Sequence, residues 1–143
     1  MPIYQCATSR KLSAAQKDAI AKEITRIHIA WTAAPEAFVN VVFSELPHGE
    51  HFLGGAIRED GALINAIVRA GRTLETRQAL LKSLSAAWSR VTGQPERNLV
   101  IRVEEADAAT IMEAGLIMPQ PGEEAAWFAK NKTVLGEIAQ AAA

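Results

Sequence analysis

Strand, helix and strand occur in that order twice along this chain, the second set following the first by about 60 residues. Such a repeat limits the fold more than any single motif, because each unit buries its apolar face against its own copy. Residues 3–8 form the first strand. Ser13 followed by Gln16 makes a capping box, so a helix runs from there to about Thr32. Ile20, Ile24, Ile27 and Trp31 fall on one stripe of that helix. Ala33-Ala34-Pro35 ends it, and Phe38 to Leu46 reads as a strand rich in valine and phenylalanine. In the second unit, residues 62–68 are a strand and Thr73 caps a helix that stops before Gly93. Leu80, Leu84, Ala87, Trp88 and Val91 form its apolar stripe, and Leu99–Val103 is the closing strand. Two β-α-β units, at about 2–46 and 62–103, predict an α/β (α+β) fold in a single domain. Right-handed crossovers give a four-stranded sheet with both helices on one face. The other face is bare in a monomer, so a second copy is expected to cover it.

Outside the units, Pro47-His48-Gly49 is a turn and Phe52-Leu53-Gly54-Gly55 a short strand ending in a bend. Residues 104–143 read as a helical extension. A short helix spans Ala108 to Ala114, capped by Asp107 and closed by Gly115, and residues 118–122 turn the chain. A last helix from Glu123 carries Trp127, Phe128, Val134, Leu135 and Ile138 into an alanine-rich end that frays. Net charge is −1 and the pI about 6.3, which argues against nucleic acid or an anionic membrane as partner. The single Cys6 excludes an intrachain disulfide, fits a reducing compartment, and reads as a buried small hydrophobe. With no leader-like start and no apolar run long enough for a membrane span, a cytoplasmic location is expected.

Chemistry gathers at a few positions. Proline inside a chain has no N–H and no basicity. If Met1 is removed, as a small second residue normally allows, Pro2 carries a free secondary amine. Cations and apolar walls lower the pKa of such an amine from about 8 toward neutrality, where it serves as a general base. His28 lies near the end of the first helix, where the dipole favours a protonated imidazole. Arg69 and Arg72 flank a strand-to-helix turn whose backbone N–H groups favour an anion, and their guanidinium groups match a carboxylate. Glu113, near the end of its short helix, opposes the dipole there. Arg102 is a charge within the apolar last strand, and alternation leaves its direction open. Glu45, His48, Glu50 and His51 are ligand types for zinc, but no regular spacing fixes them, and no metal is assigned.

Pro2-Ile3-Tyr4, His28, Phe52-Leu53-Gly54-Gly55, Arg69-Ala70-Gly71-Arg72 and Glu113 followed by Pro119-Gln120-Pro121-Gly122 together resemble the tautomerase superfamily. The most similar branch is that of cis-3-chloroacrylic acid dehalogenase and its homologues, from Pro2 to about Phe128. The resemblance implies a homotrimer acting on a small carboxylate substrate without metal or organic cofactor. Pro2 would be the catalytic acid or base. His28, Arg69 and Arg72 would bind and polarise the substrate carboxylate, with Tyr4 a secondary pocket residue. Glu113 would activate water in hydrolytic members, assisted there by a tyrosine that Arg102 replaces here. Arginine has no hydroxyl to offer, and it adds positive charge near Pro2 and Glu113. The expected activity is therefore tautomerisation of a 2-oxo acid or its enol. Hydration or dehalogenation of a 3-haloacrylate-type acid is the second reading, and a non-catalytic trimeric binding protein the third.

Overall fold

A computed structural model describes residues 1–32 and 34–142 of the chain. Ala33 of the helix-breaking run and Ala143 of the alanine-rich end lie outside them. Strand β1 (Ile3–Thr8) leads to helix α1 (Ala14–Thr32) and strand β2 (Asn40–Glu45). Hairpin strands β3 (Phe52–Leu53) and β4 (Ala56–Ile57) precede the second unit, β5 (Ala62–Arg69), α2 (Leu74–Thr92) and β6 (Leu99–Ala106). A second hairpin, β7 (Met112–Glu113) and β8 (Leu116–Ile117), is followed by α3 (Glu124–Lys130) and α4 (Lys132–Ala142).

The helices begin where side chains replace missing backbone partners. The Ser13 N–H donates to Gln16 Oε1 at 3.0 Å and the Gln16 N–H to Ser13 Oγ at 3.1 Å. The Thr76 N–H donates to Thr73 Oγ1, and Gly93, at φ 74°, ends α2 in the left-handed region. The sheet order is β2-β1-β5-β6, with parallel outer pairs and an antiparallel centre pair, β1 with β5. Strand alternation sends Tyr4, Cys6 and Thr8, and Ala62, Ile64, Ala66 and Val68, toward the helices. There they meet Ile20, Ile24 and Ile27 of α1 and Leu80, Leu84, Ala87 and Trp88 of α2. Each fully buried Ile or Leu there is worth about 1.5–3 kcal/mol. The opposite face carries Gln5, Asn65 and Arg102 in one register row, with exposed Val42, Leu63 and Val100 around it.

Four local expectations need correction. No helix forms over 108–114: a 3-10 turn at Ala108–Thr110, capped by Asp107, is followed by the second hairpin. The cause is a turn with two left-handed residues, Ala114 (φ 52°) and Gly115 (φ 78°), which suits a two-residue hairpin loop. It repeats the Gly54-Gly55 turn (φ 60° and 81°) about 60 residues on, so the duplication includes the hairpins. Phe38 sits in a 3-10 turn, Glu36–Phe38, ahead of β2. Trp31 leaves the buried stripe: its ring is exposed and its Nε1–H donates to Ser83 Oγ of α2. The extension opens with the end of β6, and its last helix is divided at Asn131.

Candidate active site

Because β1 and β5 are antiparallel, the start of one lies beside the end of the other; Ile3 faces Ile67, which brings Met1 and Pro2 next to Val68 and Arg69. Helix α1 returns its last turn to the same corner, so His28 packs over Tyr4 with rings at 5.7 Å and nearly perpendicular. Residues Met118 and Pro119 and helix α3 roof the corner, enclosing a cavity of about 290 Å³. Met1, His28, Arg69 and Arg72 line it, and Phe38, Trp127 and Phe128 form apolar walls. Trp127 is fixed by an Nε1–H bond to the Ile117 carbonyl.

Tyr4 is fully buried beneath the cavity, not in its wall, and its hydroxyl shares a 2.7 Å hydrogen bond with His28 Nδ1. Burial pushes the Tyr4 phenol well above its usual range, and the Cys6 thiol up to about 12. His28 is not the dipole-favoured cation expected from its place on α1. Burial first, then the charges of Arg72 and the chain amine, lower its pKa to about 4. It is neutral at pH 7.

The arginines are held by different partners. Arg72 Nη2 donates to the Thr32 carbonyl at 3.2 Å, occupying an acceptor that the end of α1 leaves open. Arg69 Nη1 donates to the Pro119 carbonyl at 2.8 Å and Nη2 to Glu124 Oε1 at 2.5 Å. The N–H groups of Gly71 and Arg72, expected to await an anion, donate to Glu105 Oε1 at 3.1 and 3.2 Å. A carboxylate of the chain's own fills that position.

Glu113, on β7 and not on a helix, accepts an ion pair from the Met1 amine and a 3.1 Å hydrogen bond from Asn40 Nδ2. Burial lowers the pKa of that amine, Glu113 opposes the shift, and Arg69 adds to it. Met1 lines both the main cavity and a second one that Asn40 and Glu113 also line. Arg102 does not join Pro2 and Glu113 within one chain. Its side chain is on the open sheet face, where Nε donates to Asn65 Oδ1 and Nη2 to Glu104 Oε2. The Glu45 to His51 group does not converge either: Glu45 pairs with Lys17, and His48 lies against Glu59.

Sixty residues after His28 comes Trp88, and there the corresponding corner is filled. Trp88 Nε1–H donates to Gln94 Oε1, Gln94 Nε2 to Asp60 Oδ1, and Arg10 to both Asp60 Oδ2 and the Thr92 carbonyl. The repeat thus keeps an open corner in one unit and closes it in the other.

A family model described as "Putative oxalocrotonate tautomerase enzyme" matches residues 1–132. The chain belongs to this tautomerase family. A "Probable tautomerase" of Streptococcus pneumoniae serotype 4 is 40% identical over 43 residues, 30% of this chain and 72% of that protein. That makes the relative about 60 residues long, the span of one β-α-β repeat here. Among solved structures, N1, described as a member of the cis-3-chloroacrylic acid dehalogenase family, superposes with a TM-score of 0.90 at 26% identity. The match covers 96% of this chain and 99% of N1. A fused 4-OT, described as a wild-type symmetric trimer, shares the fold with a TM-score of 0.75 at 22% identity, over 80% or more of each chain: 81% here and 94% there.

At this site, motif reading missed Glu124, which pairs with Arg69, and Glu105, which holds the turn between the arginines. Both are ordinary glutamates near helix or strand ends, and only the three-dimensional fold brings them to the arginines. Trp127 and Phe128 carried a helical apolar signal, but nothing in it pointed to a cavity wall.

Proposed function

We propose that this chain is an amino-terminal-proline tautomerase acting on a small 2-oxo acid or its enol, with Pro2 as general acid and base after removal of Met1. The observation that carries this reading is the setting of the Met1 amine, just ahead of β1, which pairs with Glu113 while Met1 lines the cavity together with Arg69. Removing one residue would leave the Pro2 nitrogen at the same corner and take away a side chain that lines both cavities. Burial and Arg69 already lower the pKa of the amine there, and a ring amine in that place would be drawn toward neutrality for the same reasons. The substrate carboxylate would lie on the guanidinium groups of Arg69 and Arg72. Neutral His28 carries one ring proton; in the tautomer whose Nδ1 accepts from Tyr4 Oη, its Nε2–H would donate to the 2-oxygen. The amine takes the enol hydroxyl proton and returns a proton to the adjacent carbon, giving the keto acid with no net gain or loss of protons.

A second reading, hydration or dehalogenation of a 3-haloacrylate-type acid, draws on the contact of Glu113 with the chain amine and on the likeness to N1. Glu113 would activate water in that chemistry. The homotrimer belongs to the proposal as well. The open sheet face and exposed Phe52, Leu53 and Met112 on the hairpins favour it, and the fused 4-OT relative is described as a trimer. In such an assembly, Arg102 would reach a site only from a neighbouring copy. The chain would work as one domain in the cytoplasm without a cofactor.

Intact mass reports whether Met1 is absent, and ketonisation of phenylenolpyruvate by that form tests the reaction. Loss of Met1 without measurable catalysis would favour the third reading, a binding protein that has kept the fold.

A further inference from the structure

Arg69 already holds a carboxylate. Its Nη2 donates to Glu124 Oε1 at 2.5 Å and its Nη1 to the Pro119 carbonyl at 2.8 Å, so its donors toward the roof are occupied by the chain itself. Glu124 is aimed at this position by its other oxygen, which accepts the Gly122 N–H at 2.7 Å. It lines the cavity and is about one-third exposed, whereas Arg69 is nearly buried, so the carboxylate sits on the open side of the pair. Helix α3, which Glu124 opens, has no fully buried residue. Arg72 has no such occupant; among the described residues its side chain donates to one carbonyl, that of Thr32.

We propose that Glu124 is a specificity-determining residue, an internal carboxylate seated on Arg69 that an incoming substrate carboxylate must replace. Once displaced, its negative charge stays at the roof, where it disfavours a second carboxylate on the substrate. The pocket is thereby biased toward monocarboxylates. This rests on the reading that Arg69 receives the substrate carboxylate. The experiment is calorimetric titration of phenylpyruvate at pH 7 into wild type, Glu124→Gln, Arg69→Gln and the double variant. A partly exposed ion pair is worth little, so Glu124→Gln should bind about fivefold more tightly than wild type. That gain should vanish in the Arg69→Gln background. Equal or weaker binding by Glu124→Gln would overturn the proposal, because Glu124 would then only position Arg69. Binding by both forms with the same affinity leaves the pocket assignment standing and removes this inference alone. No binding by either form removes both.

Discussion

Burial and two positive charges act on His28 in one direction, and the sign of the result can be checked. Its ordinary pKa of 6.5 applies to the unfolded chain, and about 4 to the folded one. Between those values the unfolded chain binds more protons, so stability present above pH 6.5 is lost progressively as pH falls toward 4. The loss is at most about 3 kcal/mol. Urea denaturation at pH 7 and pH 4.5 should show a larger drop for wild type than for His28→Gln, which has no proton to take up there. Glu113 makes a separate prediction about chemistry. Glu113→Gln should reduce any turnover of cis-3-chloroacrylate while leaving enol ketonisation within about threefold, since only the hydrolytic reaction needs a base for water. A parallel fall in both kcat/KM values would place Glu113 in the proton transfer itself.

At the scale of elements, the turn between β5 and α2 sets where both arginines point. Gly71 has φ 106°, and a Cβ added there would lie 2.7 Å from Pro121 Cγ. Gly71→Ala should therefore cost about 2 kcal/mol or more, measured by the denaturation midpoint, and should weaken carboxylate binding. The two β-α-β units were legible because each repeats a local signal: a hydroxyl side chain capping the helix, a stripe of period 3.6, and a β-branched strand. The hairpin carrying Glu113 was not, because Ala114 does not advertise a left-handed turn as Gly54 does in the first copy. Its pairing became plain only with both copies in view. Pro2, His28, Arg69 and Arg72 were legible as candidates; β1–β5 pairing sets Pro2 beside Val68 and Arg69, and His28, Arg69 and Arg72 line the cavity there. Arg102 was not, since strand alternation leaves open which face a lone charge takes, and here it takes the open one.

For the whole molecule, the question is what covers that open face. Val42, Leu63 and Val100 on the sheet and Phe52, Leu53 and Met112 on the hairpins are exposed in the single chain, large apolar side chains that a neighbouring copy would cover. Light scattering at micromolar concentration should give three times the chain mass of 15.4 kDa, and a mass of one chain would remove the trimer. The site itself is asymmetric within the chain, because Asp60, Gln94 and Arg10 fill the corner of the second unit that matches the open one. All of this converges on one nitrogen. The most direct test is kcat/KM for phenylenolpyruvate ketonisation, measured on protein whose intact mass shows Met1 removed, beside Pro2→Ala prepared the same way. The account predicts catalysis by the wild type and a loss on the order of a hundredfold in the variant, the usual contribution of a general acid–base group. Equal rates for the two proteins would contradict it.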